Sequence, residues 1–394
     1  MQLTEIHQIG PNHKYFDDMC HLTHLSKNLY NACLYEIRQH FFKTQKYKGY
    51  ASIAGEFARG NVDFKALPAK VSQQTLRLVD QNFKSFFALK RKKIPANIPR
   101  YLEKSGHMSL IYTNQAISNR DKGFIKLSGT DIKIKTNKDN INQVRITPHG
   151  GYFSVEIVYS VPDRLMKTEG NLAAIDLGLN NLATCVTNVS KPVIFNGKPV
   201  KAINQFFNKI IAKQRSIQEK RKQEKSTKKT RRISRKRNNK ILDYLHKSSS
   251  ILINHLVSND ICHLFIGENK GWKQEINIGK RNNQNFVQVP FTKFKHMIEY
   301  KAKCHGINVH FTEESYTSKA SFLSNDPIPV YGDENIPKFS GHREKRGLYR
   351  DKNHGIINAD VNGAYNILRK AVGDFHYDPI EACSRPSIIT VKFN

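Results

Sequence analysis

Apolar positions change period several times along the chain, and each change marks a boundary. From Phe16 to Phe42 they recur every three or four residues (Leu22, Leu25, Leu29, Leu34, Ile37), which lines one face of a helix. A second helix is expected from Val71 to Lys90. Its apolar stripe is Leu76, Val79, Phe83, Phe86 and Phe87, and its polar face carries Lys70, Gln73, Gln74, Arg77 and Asn82. Both stripes read most simply as core. Pro95 and Pro99 end the helical region. Between residues 100 and 162 the period drops to two. Phe124–Leu127, Ile132–Lys135, Gln143–Ile146 and Tyr152–Tyr159 alternate, with Gly, Asn and Asp between them. Short strands in this number suggest a small barrel, to which a strand within residues 1–14 can be added.

The texture changes after a linker-like stretch at Pro162. Leu172–Thr187 reads as strand, tight turn and strand. Residues 201–250 read as a long helical stretch, and Cys262–Glu268 as a buried strand ending in an acid. Phe291–Cys304 is helical again and Ile307–Phe311 a strand. Residues 313–352 are rich in Gly, Pro, Asp and Ser and read as a loop-rich insert. Gly355–Val372 becomes a helix, and the tail at 373–394 shows no period.

Composition narrows the classes of function. The 394 residues include 64 Lys and Arg against 33 Asp and Glu, a net charge of +31, with 39% hydrophobic residues. That apolar content supports packed cores, and the length suggests two or three domains. The excess of positive charge calls for a polyanion, nucleic acid before a membrane surface. No run of about 18 apolar residues exists, and residues 1–16 lack the apolar core of a secretion signal, so neither a membrane span nor export is expected. The six cysteines are scattered with no CxxC pair, consistent with reduced thiols and a cytoplasmic, nucleoid-associated location in a bacterium or archaeon. Cys20-His21-x-x-His24 reads as part of a helix face rather than as a metal cluster.

Three acids occupy parallel positions. Asp176 lies in an apolar strand, Glu268 closes Leu264-Phe-Ile-Gly, and Asp360 follows Ile356-Ile-Asn-Ala at the head of a helix. A carboxylate in an apolar strand is costly unless paired or bound to a cation. Three of them converging at one end of a sheet could hold two hard divalent ions, Mg²⁺ or Mn²⁺, for phosphodiester hydrolysis. On spacing alone, a strand-end residue or a helix cap explains each acid equally well.

Ala174-Ile-Asp-Leu-Gly-Leu-Asn-Asn-Leu-Ala-Thr resembles the first motif of the RuvC nuclease in the transposon-associated TnpB (OrfB) family. Phe265-Ile-Gly-Glu-Asn-Lys-Gly-Trp-Lys resembles the second motif, and Asn358-Ala-Asp-Val-Asn-Gly-Ala-Tyr-Asn-Ile-Leu the third. The likeness extends upstream through Leu25-Ser-Lys-Asn-Leu-Tyr-Asn-Ala, the Val71 helix, Ile98-Pro-Arg-Tyr and the strands to Tyr159. It implies an α+β multidomain protein. Residues 1–14 and 100–165 would form a wedge barrel, with a helical recognition domain at 15–99. A ribonuclease H-like RuvC domain would occupy 166–312 and 353–372, with a basic helical insertion at 201–250. It further implies an RNA-guided DNA endonuclease, with Asp176, Glu268 and Asp360 as catalytic Mg²⁺ (or Mn²⁺) ligands. The expected partners are a guide RNA made from the transposon end and double-stranded target DNA. A monomer is favoured, and no membrane is involved.

The family commonly carries a four-cysteine zinc finger between the second and third motifs, but residues 313–352 contain no cysteine. No zinc is therefore expected, and the insert stands in the finger's place. Its basic residues Arg343, Arg346 and Arg350, with His342 and Lys345, contact nucleic acid or simply form a solvated loop. The run from Lys209 to Lys240 is more one-sided. Lys228, Lys229, Arg231, Arg232 and Arg235, with isoleucines interleaved, suggest a helical arm along a heteroduplex. Lys70, Gln73, Gln74 and Arg77 are further candidates for nucleic-acid contact. The rival readings are a nuclease-dead RNA-guided repressor, a compact type V CRISPR effector and a DNA-strand transferase. Retention of all three acids counts against the first.

Overall fold

The computed structural model describes residues 1–118, 123–222, 226–268, 288–375, 383 and 385–393. Contacts divide the chain into two units, Met1–Pro162 and Asp163–Asn394.

The first unit opens with β1 (Gln2–Ile9) and α1 (Phe16–Thr44). Then come α2 (Tyr50–Gly60), the single turn α3 (Val62–Lys65) and α4 (Ala69–Arg91). The strands are β2 (Leu110–Thr113), β3 (Ile117–Ser118), β4 (Phe124–Leu127), β5 (Lys133–Lys135), β6 (Ile141–His149) and β7 (Tyr152–Ser160). They form an antiparallel sheet of order β1-β7-β6-β2 and a second of order β3-β4-β5. The two sheets share one core, and among the described residues no backbone pairing joins them into one closed sheet. Met19, Leu29 and Leu34 of α1 and Leu76, Val79 and Phe83 of α4 pack in that core with Val144, Ile146, Val155 and Ile157. One buried carboxylate ties α2 to α4: Asp80 accepts from the Tyr50 backbone N–H (3.0 Å) and the Tyr47 hydroxyl (2.7 Å), and pairs with Lys84 (2.7 Å).

The second unit is built on a six-stranded sheet. Its strands are β8 (Asn171–Asp176), β9 (Asn181–Thr187), β10 (Val193–Asn196), β11 (Ile261–Glu268), β12 (Asn308–Glu313) and β16 (Ser387–Ile389), in the order β12-β11-β8-β9-β10-β16. Strands β12, β11 and β8 are mutually parallel, β9 and β10 run in antiparallel pairs, and β16 lies parallel to β10. Residues 387–389, which show no period in sequence, thus close the sheet edge.

Helices α5 (Lys198–Lys220), α6 (Lys228–Ser258) and α7 (Phe291–Lys303) and the C-terminal α8 (Ala359–Val372) complete the unit. Ala173, Ile175, Leu264 and Ile266 pack with α6 and α7, whereas Ala174 packs with α8. Successive residues of β8 therefore bury on opposite faces, as expected of a central strand covered on both sides.

Two regions depart from the sequence reading. Residues 201–250 are two helices rather than one continuous stretch. The first ends at Lys220, Lys222 adopts a left-handed φ of 51°, and Thr227 starts α6 with a capping box closed by Thr230. Residues 313–352 contain more than loop: β13 (Gly341–Lys345) and β14 (Leu348–Asp351) form a hairpin, extended by β15 (Gly355–Asn358) into α8.

Candidate nuclease site

Asp176 is the last residue of β8 and Glu268 the last of β11, and these strands are parallel neighbours with Ile175 opposite Ile266. Both acids therefore stand at the carboxyl edge of the sheet. Asp360 sits in the first turn of α8. Asn358 caps that helix, its side-chain oxygen accepting from the backbone N–H groups of Asp360 (3.0 Å) and Val361 (3.1 Å). An acid in a helix's first turn also suits the helix dipole.

Alternation along the strands sets where each side chain goes. Asp176 shares the parity of Ala174 and turns toward α8. There Gly363 leaves room for it: a Cβ at that position would sit 3.2 Å from Asp176 Oδ2. Asp360 Oδ2 accepts from Asn181 Nδ2 (2.6 Å), and its Oδ1 pairs with Arg343 of β13 (3.1 Å). Glu268 shares the parity of Leu264 and Ile266, turns toward α7, and is held by Lys295 (3.1 Å). The fold thus brings Asp176 and Asp360 together on one face and anchors Glu268 at the next strand end.

A fourth acid escaped the sequence reading. Glu314 follows the end of β12, and its carboxylate lies over Gly267, where any Cβ would collide with it and with Ile367. Burial pushes the Asp176 carboxyl well above its usual range. The Glu314 and Asp360 carboxylates push it further, and Arg343 opposes them. Glu314 is itself raised by burial, with Lys295 opposing and Glu313 and Glu268 adding repulsion. Neighbouring Glu313 is drawn out of the cluster by an ion pair with Lys370. The only hint of Glu314 in the sequence was the acid pair Glu313-Glu314 just beyond the expected strand.

Among the described residues, no three His, Cys, Asp or Glu side chains converge tightly enough to form a ready-made metal cage. The donor set nevertheless fits a hard divalent cation. The donors are all carboxylate oxygens, and burial first, then the neighbouring Glu314 and Asp360 carboxylates, raise Asp176, a cost that a bound cation would relieve.

The basic candidates fall into separate places. Lys228, Lys229, Arg231 and Arg232 are exposed on α6, while Arg235 is half-buried. Between α5 and α6 runs a groove of about 760 Å³, lined by Phe206, Phe207 and Ile210 and rimmed by Lys229, Arg232 and Lys236. Arg343 lies against Asp360 rather than facing away from the site. Arg350 pairs with Glu344 within the hairpin (2.8 Å), and Arg346 is exposed at its tip. In the first unit Lys70 is exposed, Gln73 and Gln74 are half-buried, and the Arg77 guanidinium stacks on the Tyr50 ring at 4.4 Å. Asn82 donates to the Tyr30 hydroxyl (3.0 Å), a structural contact. Trp272 lies outside the described residues. No helix among the described residues is long and apolar enough to cross a membrane.

A six-stranded mixed sheet with acids at the carboxyl edge of its parallel strands and at the head of the following helix places this unit in the α+β class. Comparison with known proteins narrows this. Residues 156–273 match the family model of the OrfB_IS605 probable transposase, and residues 291–367 match the Cas12f1-like TNB domain. The chain is 24% identical to a TnpB-like protein of Acidianus two-tailed virus, over 94% of this chain and 87% of that protein. It is 26% identical to a TnpB-like protein of Methanocaldococcus jannaschii, over 52% of this chain and 71% of that protein. Its fold is similar to that in the cryo-EM structure of a Cas12f1–sgRNA–target DNA complex. That likeness has a TM-score of 0.54 and 13% identity and covers 90% of this chain and 82% of the other. The chain is thus similar to TnpB-like (OrfB) proteins over nearly its whole length.

Proposed function

We propose that this protein is an RNA-guided DNA endonuclease, with Asp176, Glu268 and Asp360 as the catalytic carboxylates and a guide RNA drawn from the transposon end. The observation that carries the reading is the meeting of Asp176, at the end of β8, with Asp360, at the head of α8, across Gly363, beside the strand that ends in Glu268. Divalent ions, when bound to these acids, supply an activated water and neutralise charge at the scissile phosphodiester. The chain's own residues set up that chemistry. Asn181 fixes one oxygen of Asp360, Lys295 orients Glu268, and Arg343 screens the carboxylates from one another. Sequence reading is delegated to base pairing, so the protein contributes positive charge and shape. The net charge of +31 and the basic face of α6 support that division of labour.

The match of residues 291–367 to a Cas12f1-like domain favours one second reading, a compact type V CRISPR effector. Sequencing RNA that co-purifies after expression with native flanking DNA separates the two. RNA from the adjacent element end supports the proposal, and RNA from a repeat array supports the second reading. Absence of any enriched RNA contradicts both.

A further inference from the structure

Two pairs of polar residues, each spaced like a zinc knuckle, meet in the segment that precedes α8. Ser321-Phe-Leu-Ser324 and Asp351-Lys-Asn-His354 both have two intervening residues, the spacing by which tetrahedral zinc sites draw pairs of ligands from two turns. Here the pairs converge on a carboxylate. Asp351 is buried. Its Oδ2 accepts from the Ser321 and Ser324 hydroxyls, the latter at 2.8 Å. Its Oδ1 accepts from the backbone N–H groups of Asn353 and His354, both at 2.8 Å, and lies 2.9 Å from His354 Nδ1. A carboxylate only accepts, so the imidazole nitrogen donates.

A second aspartate backs the first. Asp326 Oδ2 accepts from the backbone N–H groups of Ser321 and Ser340, both at 2.8 Å, and so clasps the strand that becomes β13. The same segment docks on α8. Asn362 and Asn366 donate to the Ala320 carbonyl (2.8 and 2.7 Å), and the Phe322 ring stacks on Tyr365 at 4.5 Å.

We propose that Ser321, Ser324, Asp351 and His354 form a metal-free knuckle in which hydrogen bonds to one carboxylate replace coordination to a cation, and that these positioning residues hold the β13–β14 hairpin on α8. Neutral hydroxyls are poor zinc ligands, and all four side chains are already committed: three point at Asp351, and both of its oxygens are occupied. The hairpin so held carries Arg343 to Asp360. Only that last consequence rests on the nuclease reading.

The experiment measures metal uptake and hydrogen exchange, neither of which requires cleavage. Wild-type protein should carry no stoichiometric zinc. Asp351→Ala removes the shared acceptor, so amides of residues 341–351 should exchange at least about tenfold faster, the scale of losing one or two net hydrogen bonds. Amides of β8 and β11 should keep their rates. The combined variant Ser321→Cys, Ser324→Cys, Asp351→Cys, His354→Cys should take up one Co²⁺ per chain with the charge-transfer bands of a four-thiolate site. Zinc should then restore the protection of the hairpin. This arm stands even where Asp351→Ala is too unstable to examine. One tightly held zinc in wild type, unchanged exchange in Asp351→Ala, or failure of the cysteine variant to bind cobalt would each overturn the proposal.

Discussion

Arg343 Nη2 lies 3.1 Å from Asp360 Oδ1, so a residue of the inserted hairpin supplies a positive charge to the first turn of α8. The same guanidinium opposes the rise in the Asp176 carboxyl. Arg343 therefore competes with any cation for these acids. Arg343→Gln should tighten Mn²⁺ binding. A partly exposed ion pair contributes about 0.2–1 kcal/mol, so the gain should be up to about fivefold, read by electron paramagnetic resonance titration. Weaker Mn²⁺ binding would mean that Arg343 organises the acids rather than competing for them.

The exposed face of α6 should set the salt dependence of RNA binding. Replacing Lys228, Lys229, Arg231 and Arg232 together by Gln should lower the log–log salt slope by roughly 0.7–0.9 for each phosphate that is no longer neutralised. Thermal stability should barely change, because these side chains are exposed. Filter binding at several salt concentrations gives the slope. An unchanged slope would take α6 out of the interface.

Asp80 makes the stability of the first unit depend on pH. Burial alone would raise its carboxyl, but Lys84, the Tyr47 hydroxyl and the Tyr50 backbone N–H outweigh burial and hold it below its ordinary value. The stability this contributes is present above the unfolded-state pKa of about 3.9 and is lost as pH falls through the lower folded value. The melting gap between wild type and Asp80→Asn should stay constant from neutral pH down to about 5. It should narrow in stronger acid. A gap that widens on acidification would reverse the assigned direction.

The long helices and the alternating strands were legible in the sequence because each buries a regular face, whereas the three motif acids were singled out by family resemblance and not by spacing. Glu314 was not, since it owes its place to a missing side chain on a neighbouring strand, Gly267. The β13–β14 hairpin was hidden for a related reason. β13 is exposed from His342 to Lys345, and β14 alternates in burial but exposes Leu348 and buries the charged Asp351, so the burial pattern leaves no hydrophobic alternation to read. The break between α5 and α6 carries neither Gly nor Pro in its sequence, and its described residues include a left-handed Lys222 and a Thr227 cap. The short strand at Ser387–Ile389 joins the sheet through three residues, too few to show a period.

The central claim is that Asp176, Glu268 and Asp360 act together on DNA while binding resides elsewhere. Its most direct test is a paired cleavage and gel-shift assay on wild type and the three single Ala variants. Each would be loaded with the same guide RNA and given matched DNA and Mg²⁺. Each variant should lose at least about 100-fold to 1000-fold in cleavage rate, the scale of removing one preorganised electrostatic group. Each should still bind guide and target like wild type, since pairing and cationic contacts are untouched. Variants that cut at the wild-type rate, or a wild type that binds its matched target and never cuts it, would contradict the account.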